Sequence, residues 1–205
     1  MSDSPHDDDL AALLSTAVDT DTLGRLHRRL ERAADRADLV DVAYTTVDSP
    51  VGQLLLAATP KGLVRVAYAG EDHDRVLETL GQKLSPRVLR APARLDDAAR
   101  EIDEYFAGRR RTFGLTLDLS LSRGFRRLVQ THLPEIEYGR TRSYREMAER
   151  VGNPKAVRAV GTACATNPLP IVVPCHRVLR TDGTLGGYIG GLDAKTALLD
   201  LEAAA

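Results

Sequence analysis

From Asp8 to about Asp38 the apolar positions Leu10, Leu13, Leu14 and Val18, then Leu23, Leu26 and Leu30, recur at intervals of three and four with charges between them. That spacing puts them on one side of a helix and predicts two short amphipathic helices. The pattern changes at Asp41. Residues 42–47, 52–58 and 62–68 are short runs rich in β-branched and aromatic residues, separated by Ser49-Pro50 and Pro60-Lys61-Gly62, and they predict an antiparallel meander. Helical spacing returns over residues 72–84 and 94–107, where Leu95, Ala98, Ile102, Tyr105 and Phe106 share a face closed by Gly108. Leu115, Leu117 and Leu119 then alternate as one more strand would. No chemistry is visible in this stretch.

After Arg123 the chain becomes helical. Phe125, Leu128, Val129 and Leu133 form a helix face that ends at Pro134. Ser143, followed three positions later by Glu146, is a capping-box pair: the hydroxyl and the carboxylate each satisfy an N–H that the first turn leaves unpaired. A helix over residues 144–151 follows, ended by Gly152. Asn153 as cap and Pro154 at the first helical position open a second helix over 154–165. So short a connection makes a helix-turn-helix candidate. If Val157, Val160 and Cys164 are its buried stripe, Lys155, Ala156, Arg158, Ala159 and Ala163 face outward. That small, cationic surface suits close approach to a nucleic-acid groove, the alternative being alanines packed on a neighbouring helix. The fold class is therefore α+β: an N-terminal extension over 1–40, helical or partly disordered; a small domain over 41–120 with a short, mainly antiparallel sheet and helices; and a mostly helical domain over 121–205.

Composition narrows the function. With 205 residues, 43% hydrophobic, the chain can bury one core or two small ones without metal or disulfides. No apolar run reaches the ~18 residues of a membrane span. The first twenty residues are acidic where a secretory signal would be basic, which places the chain in the cytoplasm and off the membrane. The net charge of −1 hides an asymmetry: residues 1–46 hold ten Asp/Glu against five Arg, residues 123–205 twelve Lys/Arg against eight Asp/Glu. A basic C-terminal part suits a polyanion, although ordinary solvated faces show similar imbalances. Arg25, Arg28, Arg29 and Arg32 could touch DNA, but the aspartates around them favour a solvated helix face. Cys164 and Cys175 should stay reduced, and His6, His27 and His73 stand alone, so neither a metal nor a cofactor is expected.

The chemistry lies between Asn167 and Val178. Pro168, Pro170 and Pro174 predict an extended, stiff segment, and Ile171-Val172-Val173 should bury it, so that Cys175 emerges from a rigid support. A thiol attacks as thiolate, and a neighbouring imidazole, here His176 acting directly or through a water, lowers its pKa from about 8.5. A cysteine in an apolar stretch is otherwise a small core residue, and Cys164 is read that way.

With these residues the chain resembles the O6-alkylguanine-DNA alkyltransferases, also called methylated-DNA–protein-cysteine methyltransferases. Pro174-Cys175-His176-Arg177-Val178 matches the family's active-site motif, with Asn167-Pro168 before it and Gly187-Tyr188-Ile189-Gly190-Gly191-Leu192 after it. The helix-turn-helix from Ser143-Tyr144 to Gly161 matches as well; residues 41–120 agree only in the order of strands and helices. The resemblance implies that Cys175 accepts the alkyl group, His176 is the base acting through a water, Glu202 orients the histidine and Asn167 braces the turn. It also implies that Tyr144 rotates the nucleotide's phosphate and hydrogen-bonds the purine, that Arg158 fills the gap in the stack, and that Ala156, Ala159 and Gly161 face the minor groove. Val178, Tyr188, Ile189, Gly190, Cys164 and Pro170 would line the substrate pocket. The partner implied is double-stranded DNA carrying O6-alkylguanine, with O4-alkylthymine as a second substrate, bound by a monomer with or without cooperative assembly.

Three positions vary from the family pattern. Ile189 lacks the hydroxyl that some members offer the substrate oxygen, Cys164 stands where a longer apolar side chain occurs, and Gln130 replaces a common Trp. The first two bear on alkyl size. Two rival readings are a damage sensor on the same scaffold that accepts no alkyl group, whose members replace the motif cysteine, and a thiol hydrolase using Cys175 and His176. The extension before Asp41 lies outside the resemblance; packed helices, a disordered leader and an interaction segment are its alternatives.

Overall fold

The computed structural model describes residues 19–204. Of these, residues 19–39 belong to one compact unit and those from Val40 to another. In the first, helix α1 (Thr20–Arg36) is the second of the two predicted helices; the first, with Leu10, Leu13, Leu14 and Val18, falls outside the described residues. Leu23, Leu26 and Leu30 of α1 are each more than half exposed, and Arg25, Arg28, Arg29, Arg32 and Arg36 line one side of it.

The second unit begins with a four-stranded sheet. Strands β1 (Val42–Val47), β2 (Leu54–Thr59) and β3 (Gly62–Tyr68) form the expected antiparallel meander. A fourth strand, β4 (Val88–Arg90), pairs parallel with β1, giving the order β3-β2-β1-β4. Hydrophobic patterning passes over it because three half-exposed residues carry no periodicity. Helix α2 (His73–Lys83) makes the crossover to β4 and lays Val76 and Leu80 on Val42, Leu55, Ala57 and Val64. Leu54, Leu55, Leu56 and Ala57 are all at most 1% exposed, so β2 is covered on both faces. That is why its sequence runs continuously apolar instead of alternating.

The strand expected over Leu115, Leu117 and Leu119 does not form. A single parallel bridge joins Leu117 to Leu63, with the Leu63 amide donating to Thr116 O at 2.9 Å and the Asp118 amide to Leu63 O at 2.8 Å. The approach is tight enough that a Cβ on Gly62 would sit 2.3 Å from Thr116 O. Asp118 then accepts from the Thr59 hydroxyl and the Ser120 amide, turning the chain away from the sheet. Helix α3 (Asp96–Phe106) follows the single 3-10 turn Pro92–Leu95 and buries Ala98, Ile102 and Tyr105, as their spacing predicts.

The helical part comprises α4 (Gly124–His132), α5 (Tyr144–Arg150), α6 (Val157–Ala165) and α7 (Gly191–Ala203), with two-residue strands β5 (Arg142–Ser143) and β6 (Val178–Leu179) paired in parallel. The capping box before α5 is present: the Glu146 amide donates to Ser143 Oγ at 3.1 Å and the Ser143 amide to the Glu146 carboxylate at 2.6 Å. Gly152, at φ +73°, ends that helix. Helix α6 starts three residues later than its cap signal suggests, because the Ala156 amide closes a separate turn onto Asn153 O at 2.9 Å. Two predicted faces need correction. Ala163 is fully buried and not exposed: α4 packs on it, and Gln130 Nε2 donates to its carbonyl at 2.9 Å. Val129 and Leu133 are buried on α4 and its extension, but Leu128 is 42% exposed.

Candidate active site

The segment before Cys175 is a compact turn, not the extended run its prolines suggest. Ile171 takes a left-handed conformation at φ +73°, and the Val173 amide donates back to Leu169 O at 2.7 Å. For a β-branched residue this costs about 1–3 kcal/mol and persists only where the surroundings over-determine it. Asn167 supplies that constraint. Its Oδ1 accepts from the Leu169 amide at 3.0 Å, while its Nδ2 donates to Val173 O at 2.8 Å and to Cys175 Sγ at 3.2 Å. Leu169 and Ile171 are fully buried beneath it. The sulfur is therefore fixed by a rigid turn and by a donor that favours its anionic form.

Cys175 opens the single 3-10 turn Cys175–Arg177 and is 2% exposed. Burial pushes its thiol up to about 11, against the Asn167 hydrogen bond and the Lys195 charge, which pull it down. The resting sulfur is thus protonated at neutral pH and needs a base. His176, the next residue, is fully buried and joined through Nε2 to Glu202 Oε1 at 2.9 Å. Glu202 also accepts from the Tyr105 hydroxyl at 2.8 Å, from Arg177 Nε and Nη2 at 2.8 Å each, and from the Gly139 amide at 3.2 Å. Burial alone would raise the Glu202 carboxyl, but the bonds from His176 and Arg177 outweigh it and hold it at about 2. Burial also lowers the His176 pKa, more than Glu202 raises it. A neutral ring beside a carboxylate carries its proton on the nitrogen facing that carboxylate, so Nδ1 is the basic one. His176 Nδ1 is buried and has no hydrogen-bond partner.

Of the residues expected to line the substrate pocket, Val178, Cys164 and Pro170 are buried, while Tyr188, Ile189 and Gly190 are half-buried on the loop before α7. Burial holds the Cys164 thiol far above its ordinary value, which makes it inert. Tyr144, at the start of α5, lies against Gly186, where a Cβ would come within 2.3 Å of its hydroxyl. Burial, with the two nearby cysteines, pushes that hydroxyl up to about 12. Arg158 and Ala159 stand exposed on α6, with Ala156 and Gly161 half-buried. A Cβ on Gly161 would meet nothing within 4 Å, so the outer side of α6 is open there. Hydrogen bonds thus bring Cys175 to Asn167 and His176 to Glu202, whereas Arg158, Ala156, Ala159 and Gly161 belong to the separate surface of α6. Among the described residues no three His, Cys, Asp or Glu side chains group as a metal site would, and no helix is long and apolar enough to cross a membrane.

Four residues at the site carry no role in the sequence-based expectation. Lys195 is fully buried, with Nζ donating to Val178 O at 2.7 Å and its charge felt at Cys175. Its spacing of three and seven from Leu198 and Glu202 on α7 is the signal that could have found it. Arg177 lies inside the motif, and its bidentate grip on Glu202 is backed by Nη1 donating to Ile136 O at 2.6 Å. Tyr105 and Tyr68 come from the sheet domain, which shows no chemistry in sequence, and no local signal points to them.

Residues 42–119 match the 6-O-methylguanine DNA methyltransferase, ribonuclease-like domain, and residues 124–204 match the DNA binding domain of the same family. The chain belongs to the 6-O-methylguanine DNA methyltransferase family. Within it, the chain is 43% identical over 161 residues to the methylated-DNA–protein-cysteine methyltransferase of Mycolicibacterium paratuberculosis, spanning 78% of this chain and 92% of that one. It is 39% identical over 163 residues to the constitutive enzyme of Bacillus subtilis, spanning 78% and 94%. Among solved family structures, Mycobacterium tuberculosis O6-methylguanine methyltransferase superposes with a TM-score of 0.68 at 39% identity, over 80% of this chain and 93% of that one. Mycobacterium tuberculosis OGT in complex with DNA gives 0.68 at 39% identity, over 79% and 93%.

Proposed function

We propose that the chain repairs DNA by moving the alkyl group from O6 of guanine, and from O4 of thymine, onto Sγ of its own Cys175 in one irreversible event. The observation that carries this reading is a buried thiol held by Asn167 beside a neutral imidazole whose outer nitrogen is locked by Glu202. His176 Nδ1 takes the thiol proton through a bridging water. The sulfur attacks the alkyl carbon in line, an S–C bond forms, the C–O bond breaks, and the electron pair stays on the departing base, which takes up the proton. The net exchange is thiol hydrogen for alkyl.

The O6 group of a stacked guanine is out of reach of a buried cysteine, so the base must first leave the duplex, at a cost of a few kcal/mol. Arg158, projecting from the small residues of α6, fills the gap in the stack, and Tyr144 turns the phosphate and hydrogen-bonds the purine. Residues 121–205 then carry both DNA contact and acceptor, residues 41–120 support them, and residues 1–40 stay outside the chemistry. The reading needs no cofactor, because the thiol is consumed. A thioether has no leaving group that water can displace readily, so one molecule repairs one lesion. Incubation with a duplex containing O6-methylguanine should add one methyl mass to the peptide bearing Cys175. Loss of the lesion with Cys175 unmodified overturns the proposal.

A further inference from the structure

We propose that Tyr68, in the sheet domain, is a positioning residue for the acceptor site: it holds the loop carrying Tyr188, Ile189 and Gly190 and so sets the width of the pocket over Cys175. This rests on the transfer reading above. Tyr68 ends β3 and is only 3% exposed. Its backbone is pinned on both sides, by its register against Leu54 and by its amide donating to Glu71 Oε1 at 2.9 Å, with Glu71 in turn paired to Arg65. From that anchored position its hydroxyl meets the Tyr188 hydroxyl at 2.9 Å, 120 residues away in the chain. The two rings meet edge to face at 5.8 Å, and Tyr188 in turn stands edge to face with His176 at 6.4 Å.

The ring of Tyr68 also occupies the space a side chain at position 190 would need: a Cβ there would fall 2.6–2.7 Å from three of its ring carbons. Glycine at 190 is thus what allows the loop to close on Tyr68. Further back the loop rests on Tyr144 at Gly186, while Ile189, between Tyr188 and Gly190, borders an open cleft of about 390 Å³ shared with Arg75, Lys83 and Arg126. One part-buried hydroxyl pair and one ring contact thus tie the Tyr188 side of the pocket to the sheet. The sheet domain becomes a part of the specificity apparatus, through a residue 107 positions before the acceptor.

The test uses the full chain in single-turnover transfer from duplexes carrying O6-methylguanine or O6-benzylguanine, at a temperature where circular dichroism shows each variant folded. Losing one part-buried hydrogen bond in Y68F should slow methyl transfer about 3- to 10-fold. A looser loop should at the same time raise the benzyl-to-methyl rate ratio several-fold. Y188F should behave likewise, and the Y68F/Y188F double variant should be no more than about twofold slower than the slower single one, since both remove the same contact. Should Y68F fold too poorly for the duplex assay, G190A, which crowds Tyr68 while keeping its hydroxyl, is measured for the same ratio and should shift it. A folded Y68F or G190A with unchanged rates and ratio, or single effects that multiply in the double variant, overturns the inference while leaving transfer to Cys175 standing. Absence of transfer in the unmodified chain would instead remove the reading beneath it.

Discussion

Glu202→Gln tests the centre of the site. The carboxylate accepts five hydrogen bonds, from Tyr105, His176, Gly139 and twice from Arg177, and its side chain is 1% exposed. A carboxamide of the same shape offers one oxygen and turns an NH2 toward donors, so two or more of the five contacts become donor against donor. It also leaves the Arg177 guanidinium buried without its counter-charge. Breaking one side of a buried pair costs about 3–5 kcal/mol, which for a unit of this size lowers Tm by about 6–20 °C. Transfer should suffer separately. With its single oxygen contested by Arg177, the carboxamide no longer fixes the His176 proton on Nε2, and an imidazole with its proton on Nδ1 cannot take one from the thiol; such tautomer losses cost about 10²- to 10⁴-fold in rate. Single-turnover transfer to Cys175, read by peptide mass at a temperature where the variant is still folded, separates the two effects. A folded E202Q that transfers at the parent rate would refute the role given to the His176–Glu202 pair.

The same carboxylate makes the fold acid-sensitive. Its folded pKa of about 2 lies below the ordinary 4.5, so the stabilisation is complete above about 4.5 and is lost as pH falls toward 2, by about 3 kcal/mol in all. The lowered His176 pKa adds a loss beginning below its ordinary 6.5; urea titrations from pH 7 to 3 should show both, and E202Q should lack the lower one. Lys195→Met keeps the volume but removes the cation that draws the Cys175 thiol down, so the thiol should rise and transfer at pH 7 should slow several-fold. Equal rates for K195M and parent would show that this charge does not act on the sulfur. Arg158→Ala should weaken repair of duplex DNA much more than reaction with a free alkylated guanine base, and equal losses on the two substrates would remove its intercalating role.

Features set by neighbours in the chain are legible in the amino-acid order. The capping box at Ser143 and Glu146, the stop at Gly152, the meander from β1 to β3 and the faces of α2 and α3 all follow from spacing, turn chemistry and period. The local signal fails where a distant partner overrides it. Ala163 is buried because Gln130 and α4 lie on it, and residues 115–119 fail to make a strand because Asp118 is drawn to Thr59. Three prolines suggest an extended approach to Cys175, yet Asn167 folds it into a turn with Ile171 left-handed. The motif around Cys175 and His176 is visible because it is contiguous. What makes that motif a site is not, since Glu202 gathers Tyr105, Gly139, His176 and Arg177 from separations of 25 to 97 residues.

By itself the amino-acid order determined the β1–β3 meander, most of the helices and which cysteine stands in a reactive setting, because propensity, capping and motif spacing act over a few residues. Only the tertiary structure decided which imidazole nitrogen is basic, that a buried lysine sits near the sulfur, and that Tyr68 of the sheet meets Tyr188. Those depend on which groups burial forces together to satisfy one another's hydrogen bonds and charges, and no local stretch of sequence carries that information.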